Sequence, residues 1–193
     1  DGVNVLDSEI AGEESIYEEE DLHANDDDVY GGMAHDIYNG IVHFKKTGEY
    51  PPVADQRMDR SAHCHWRFRC QRFILSGDES TLMYLNPQNP LTEMAKIVVK
   101  KGEVKYVIER IHNLIGHLGM KRTQMAIIKK LYWRSIRNDV KFFIEHCMFC
   151  HQKKIDGKKL VKAPVDIMSD DFDIQIDIQP PSVGGNRLHI SLN

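Results

Sequence analysis

The sequence lacks any apolar run long enough to cross a membrane, and residues 1–30 contain no lysine or arginine. The first absence argues against a spanning helix, which needs about 20 apolar residues. The second, in a stretch that is also acidic, argues against a secretory signal peptide there. Only four cysteines are present, which without such a signal favours reduced thiols or metal ligands over a disulfide framework. We therefore expect a nuclear or intracellular protein with no membrane attachment.

The chain of 193 residues is long enough for one or two small domains. Apolar residues make up 41% of it and aromatic residues 8%, so we expect a packed core in part of the chain only. The first residue is Asp rather than Met, and we interpret the sequence as a fragment or a processed chain.

Charge is distributed unevenly along the chain. Residues 1–30 contain twelve Asp or Glu, although the formal net charge of the whole chain is only −4. Residues 96–162 contain seventeen basic and five acidic side chains, a net charge of +12. A basic segment of this density predicts a polyanionic partner. We expect residues 1–32 to be a disordered acidic tail, either simply solvated or shielding the basic surface of the same molecule.

Residues 33–100 show the pattern of two helices followed by three strands. Apolar residues at helical spacing predict helices over residues 33–47 and 55–73, separated by the Pro51-Pro52 pair. The predicted strands, which flank a Ser-Gly-Asp turn and a proline-containing loop, cover residues 73–75, 82–85 and 94–99.

Residues 63–70 read HCHWRFRC and contain four potential metal donors. Successive side chains on a helix point about 100° apart, so the first three of these donors would not converge. We expect Trp66 and Cys70 to pack in a core instead.

Two histidines and two cysteines further along have the spacing of a zinc site. Four residues separate His112 from His117, two separate Cys147 from Cys150, and 29 lie between the pairs. Two imidazole nitrogens and two thiolates form a closed tetrahedral set for Zn2+. Either pair alone would rather indicate helix-end histidines or buried thiols. Because three short helices have little core of their own, we predict one structural zinc ion in residues 101–155.

The sequence around these residues predicts three helices. The first ends near His112, and Thr123 is the predicted N-cap of the second. A third apolar stripe places Cys147 at the C-terminal end of its helix, with Cys150 in the turn beyond. The apolar residues assigned to the second helix are Met125, Ile128 and Leu131.

These residues resemble the His2Cys2 zinc domain of gypsy-type retrotransposon integrases, which also occurs in domesticated vertebrate relatives. The resemblance extends beyond the four ligands to Gly119, Arg122-Thr123, Tyr132-Trp133, Asp139-Val140 and Lys153. Residues 33–100, which include HFKKTGEYPP, resemble the extension that precedes that domain. The resemblance implies an α+β protein, in which a two-helix, three-stranded extension precedes a helix-turn-helix-like zinc domain at residues 101–155.

Residues 156–193 are predicted to contain a basic linker and one half-buried strand, from the strict alternation FDIQIDIQ. In the resembled integrases a catalytic core of RNase H-like fold begins here, and Asp177 before Pro180 is similar to its first catalytic Asp. The alternative is a solvent-facing carboxylate on an isolated strand. Two-metal phosphoryl transfer in these enzymes uses three carboxylates, so we do not expect this chain alone to be catalytic. Mg2+ or Mn2+ is expected only if a complete core follows Asn193.

The basic segment and the resemblance together predict duplex DNA as the partner, through contacts to phosphates. The candidate contact residues are Lys121, Arg122, Lys129, Lys130, Arg134, Arg137 and Lys141. We therefore predict a zinc-stabilised nucleic-acid-binding module involved in DNA integration. The alternative is a zinc-dependent protein-interaction module of a domesticated transcription regulator, and either module could form a homo-oligomer.

Overall fold

The computed structural model describes residues 29–52, 54, 60–88, 94–155, 173–179 and 187–192. The predicted acidic tail, the start of the second predicted helix and the predicted linker lie outside the described residues, apart from their ends. The described part contains helices and short strands, which confirms the predicted α+β class. No helix in it is both long enough and apolar enough to cross a bilayer.

The part of the chain before the candidate metal ligands contains two helices and an antiparallel meander, as predicted. These elements are α1 (His35–Thr47), α2 (Arg60–Gln71), β1 (Phe73–Leu75), β2 (Leu82–Tyr84) and β3 (Lys96–Val98). Helix α1 ends at its predicted position because Gly48 takes the left-handed conformation, with φ of 77°, and donates its N–H to the Phe44 carbonyl. Trp66 and Cys70 are buried in the core, as expected.

The region of the candidate ligands contains four helices and one short strand. These elements are α3 (Val104–Leu114), α4 (Met120–Ile128), β4 (Leu131–Tyr132), α5 (Ile136–Glu145) and α6 (Met148–Ile155). The predicted N-cap was wrong, because α4 begins after Gly119 and Thr123 is buried inside it. Leu131 was wrongly assigned to the second helix, since α4 ends at Ile128 and Leu131 pairs with β3.

Cys147 follows the end of α5, as predicted, but the predicted turn around Cys150 was wrong. Cys150 lies in the first turn of α6. The reason is that the helical conformation is interrupted only briefly between α5 and α6. The N–H of His151 already donates to the Cys147 carbonyl at 2.9 Å, which opens the new helix.

Strand β4 joins the two regions into one sheet of order β1-β2-β3-β4. It lies parallel to β3, with Ile97 opposite Leu131 and Val98 opposite Tyr132. Because side chains alternate along a strand, the first pair faces the core around α3, α4 and α5, and the second faces the core around α1 and α2. The predicted domain boundary after residue 100 falls between β3 and α3 and stays a prediction.

A hairpin of β5 (Ile174–Ile178) and β6 (Leu188–Leu192) packs on α3. Strand β5 was predicted, whereas β6 was not. Ile174 is buried but Ile178 is 39% exposed, so only one end of the predicted half-buried strand is covered. Ile190 is buried, and its carbonyl accepts a hydrogen bond from Arg110 Nε at 3.0 Å.

Arg187 links this hairpin to the core around α1 and α2 and to Glu103, just before α3. Its Nε donates to Glu103 Oε1 at 3.2 Å, and its Nη2 donates to the Val98 carbonyl at 3.0 Å. The guanidinium also lies 5.5 Å from the centre of the Tyr38 ring. The Arg187 and Glu103 side chains are only 10% and 13% exposed, so this ion pair is poorly screened by solvent.

We predict that Arg187→Met lowers the free energy of unfolding by about 3 kcal/mol, because it leaves the Glu103 carboxylate nearly buried without its cation. Urea unfolding followed by circular dichroism measures this. Arg187→Met combined with Glu103→Gln should recover part of the loss. The exposed Lys105→Met is the control and should have little effect. Equal stability of Arg187→Met and the native chain would show that the pair is dispensable.

Candidate metal centre

His112, His117, Cys147 and Cys150 come together at one point of the fold. One donor atom from each lies within 4.8 Å of all the others. His112 Nε2 is 3.2 Å from Cys150 Sγ, and His117 Nδ1 is 3.5 Å from Cys147 Sγ and 4.0 Å from Cys150 Sγ. The two imidazole rings meet edge to face, with centres 4.7 Å apart.

These distances fit a tetrahedral zinc ion. Zn–N bonds of about 2.0 Å and Zn–S bonds of about 2.3 Å place neighbouring donors roughly 3.3–3.8 Å apart in a tetrahedron. The three distances lie near this range, and no donor is more than 4.8 Å from another. Two imidazoles and two thiolates are donors that zinc prefers, and two thiolates neutralise its charge. The residues present therefore fit the predicted group.

The backbone at the end of α3 brings the two histidines together. His117 N–H donates to the His112 carbonyl at 2.9 Å, and Gly116 N–H donates to the Asn113 carbonyl at 3.0 Å. Together with the φ of 75° at Gly116, these two bonds form a Schellman motif, which closes the end of the helix. The motif places His112 next to His117, which follows it by five positions in the sequence. His117 itself has a φ of 58°, a costly conformation for a residue with a side chain. Four residues between the two histidines are therefore the number that this type of helix end needs to bring them side by side.

Thr123 orients the first histidine. Its hydroxyl donates to the Leu118 carbonyl at 3.0 Å, so the Thr123 oxygen accepts from His112 Nδ1 at 3.2 Å. The proton on Nδ1 leaves the Nε2 lone pair directed at the other donors. Burial, and to a smaller extent the nearby His117, lowers the pKa of His112 to about 4. The ring is therefore neutral near pH 7, as a metal ligand must be.

Aromatic rings cover the group on two sides. The Phe143 ring lies edge-on to His112, with centres 5.7 Å apart, and the Phe149 ring lies over His117 at 4.1 Å. His112 is fully buried and Cys150 is 9% exposed. His117 and Cys147 are half-buried. Because the protein supplies all four donors, no position is left for a substrate, which is typical of structural zinc sites.

Sequence reasoning missed the roles of Gly116 and Thr123. A glycine just after a predicted helix was the available signal for the first. Thr123 was instead interpreted as a cap, because a Thr before an apolar run is typical of one.

Six of the seven candidate nucleic-acid contacts are exposed. They lie on α4, on α5 or in the connection between these helices: Lys121, Arg122, Lys129, Arg134, Arg137 and Lys141. The seventh residue, Lys130, instead forms an ion pair. Its Nζ lies 2.6 Å from Asp173 Oδ1, at the start of the hairpin.

Asp177 lies on β5, and its side chain is 64% exposed, 4.0 Å from His189 Nδ1. Within the described ranges, the His2Cys2 group is the only cluster of three or more His, Cys, Asp or Glu side chains placed to hold a metal ion. Asp177 and the donors of residues 63–70 do not belong to such a cluster in the part of the chain described.

The fold and the donor set define a small helical domain of the His2Cys2 zinc-binding type. Residues 99–156 match the family model of the integrase zinc binding domain. The chain is also 28%, 27% and 26% identical to gypsy retrotransposon integrase-like protein 1 of Mus musculus, Rattus norvegicus and Homo sapiens. These matches cover 78% of this chain, which spans about 28% of the length of the curated relatives. No solved structure matches the chain. The predicted resemblance is confirmed.

We predict that Thr123→Val lowers metal affinity about 10-fold to 100-fold, because the His112 ring loses the partner that orients it. Competition for zinc against a chromophoric chelator measures the affinity. Thr123→Ser keeps the hydroxyl and serves as the matched control, with near-native affinity. If both variants bind zinc as tightly as the native chain, Thr123 has no orienting role.

Proposed function

We propose that this chain is a nucleic-acid-binding module of an integrase or an integrase-derived protein, stabilised by one structural zinc ion and without catalytic activity of its own. The convergence of the four donors in the segment matched by the integrase zinc binding domain carries the proposal. The name of the relatives, gypsy retrotransposon integrase-like protein 1, points to the same class of protein.

The closed donor group supports a structural role for zinc. His112 lies on α3, Cys147 follows the end of α5, and Cys150 lies on α6, so the group ties these three helices together. Structural zinc sites contribute about 10–16 kcal/mol of apparent binding free energy near pH 7, which is comparable to or larger than the usual stability of a whole domain, about 5–15 kcal/mol. Removal of the ion would therefore unfold the helices around it.

The protein should contain one zinc ion per chain, and a strong chelator should abolish most of its helical circular dichroism signal until zinc is returned. Cys147→Ser should lose the stoichiometric ion. The matched control is Cys64→Ser, which lies on α2 away from the group and should keep it. A fully helical, cooperatively unfolding protein after chelation would contradict a structural zinc.

The exposed basic residues of α4 and α5 support the nucleic-acid part of the proposal. Arg137 and Lys141 are one helical turn apart on the solvent-facing side of α5, and Lys121 and Arg122 lie in the first turn of α4. Phosphate contacts from such residues fix affinity without reading sequence. Because Lys130 is paired with Asp173, its ammonium group is partly neutralised, and we expect it to contribute less to phosphate binding than the other six residues.

We predict that Arg137→Gln with Lys141→Gln weakens binding to duplex DNA of any sequence and lowers the slope of log affinity against log salt by about two. Fluorescence anisotropy at several salt concentrations measures the slope. The matched control is Lys45→Gln with Lys46→Gln, two exposed lysines of α1 outside the proposed interface. Binding that does not depend on salt, or an equal loss in both variants, would argue against this interface.

Asp177 keeps its proposed role as the first carboxylate of a catalytic core only within a longer protein. Two-metal transfer holds its ions between several ligands, and one exposed Asp does not supply them. Strand-transfer activity of this chain with Mg2+ or Mn2+ would contradict the absence of catalysis.

A further inference from the structure

We propose that the acidic segment, residues 1–28, binds the basic face formed by Arg137 and Lys141 on α5 of the same molecule and so competes with nucleic acid. The competition rests on the proposed function, whereas the intramolecular contact does not. Three observations carry it: where the segment joins the fold, how firmly that point is held, and the charges on both sides.

The acidic segment joins the fold directly beside α5. The ring of Tyr30 meets the ring of Phe142 edge to face, with centres 5.6 Å apart and planes at 81°. The next residue, Gly31, donates its N–H to Asp139 Oδ2 at 3.1 Å. Both partners belong to α5, and Phe142 is the neighbour of Lys141 in the sequence.

The point of attachment is held by a buried hydrogen-bond network. Asp139 is only 5% exposed, and its Oδ2 also accepts from Trp133 Nε1 and Ser135 Oγ, each at 2.7 Å. A Cβ at Gly31 would lie 1.9 Å from Ser135 Oγ and 3.2 Å from Asp139 Oδ2, so a larger residue would displace the Ser135 hydroxyl from this network. The backbone therefore passes against α5 too closely to shift sideways without breaking these bonds.

The basic face is within reach of the acidic segment. An extended chain spans about 3.5 Å per residue, so Asp28, two residues before Tyr30, reaches about 7 Å from it. Arg137 precedes Phe142 by five residues, which is about 7.5 Å along the helix axis and about 140° around it. The segment must therefore pass partly around α5. Asp26 has about 14 Å of chain before Tyr30 and Glu20 about 35 Å, so carboxylates from Asp26 towards the N-terminus have enough chain to approach Arg137 and Lys141 with no movement of the described fold.

The charges of the two partners are opposite and dense. The acidic segment has twelve carboxylates and no Lys or Arg, and the face on α5 presents Arg137 and Lys141 within a stretch of sequence, residues 96–162, whose net charge is +12. A single exposed ion pair contributes little. Many such pairs on a tether act at the high effective concentration that a short linker provides. Such an interaction is sensitive to salt, because exposed charges are screened beyond about 8 Å at physiological ionic strength.

Neutralising the acidic segment in the full chain tests the competition. The variant carries Glu18→Gln, Glu19→Gln, Glu20→Gln, Asp26→Asn, Asp27→Asn and Asp28→Asn, all outside the described fold. It should bind a duplex DNA oligonucleotide at least ten-fold more tightly than the native chain at low salt, and the difference should shrink as salt rises. A control chain with residues 1–28 in shuffled order keeps the charge and should bind as the native chain does.

A second measurement separates contact from long-range repulsion. A synthetic peptide of residues 1–28 is titrated into the neutralised variant without DNA, and amide resonances are followed by NMR. Shifts concentrated at Arg137, Lys141 and their neighbours are expected, and they should disappear in Arg137→Gln with Lys141→Gln. Absence of shifts, or shifts confined to another surface, overturns the inference, and a separate basic protein is then the partner to test for the acidic segment.

The two proposals fail in different ways. Unchanged DNA affinity in the neutralised variant overturns the competition and leaves DNA binding intact. If neither chain binds DNA at any salt concentration, the proposed function is wrong, and the peptide titration alone then decides whether the acidic segment contacts α5.

Discussion

The structure depends on four donor atoms meeting within 4.8 Å, although they come from positions up to 38 residues apart in the chain. A helix end brings the two histidines together, since the hydrogen bond from His117 N–H to the His112 carbonyl closes the turn between them. The break between α5 and α6 supplies Cys147, and the first turn of α6 supplies Cys150. With a metal ion in place, these ends could not separate without breaking coordination bonds, which is how a few short helices with a small core remain folded.

A second layer of polar contacts surrounds this centre and orients it. The Thr123 hydroxyl accepts a hydrogen bond from His112 Nδ1 and so keeps the proton on that nitrogen. Asp139, near the start of α5, accepts hydrogen bonds from Trp133 and from the backbone of Gly31. Both side chains are buried with their hydrogen bonds satisfied, which keeps the cost of burying polar groups low. The domain is therefore positioned by short polar links as much as by its apolar core.

The donor set, the order of the first elements and the end of α1 could be predicted from the sequence, because each depends on residues close to one another in the chain. The spacing of the four ligands and the glycine at position 48 are such local signals. The remaining features depend on partners that are distant in sequence. Leu131 continues a helical pattern, but pairing with β3 draws it into a strand, and β6 is stabilised mainly by burial of Leu188 and Ile190 against α3. Thr123 has the appearance of a cap, and only the position of His112 reveals its role.

The position of β4 has an evolutionary consequence. This strand lies between two helices of the zinc-type domain in sequence, yet it completes the sheet of the preceding extension. A recombination event that separated the two regions near residue 100 would leave β3 with an unpaired edge and would uncover Tyr132, which stacks on Tyr84. The extension and the domain are thus expected to be inherited as one piece and not exchanged as independent cassettes.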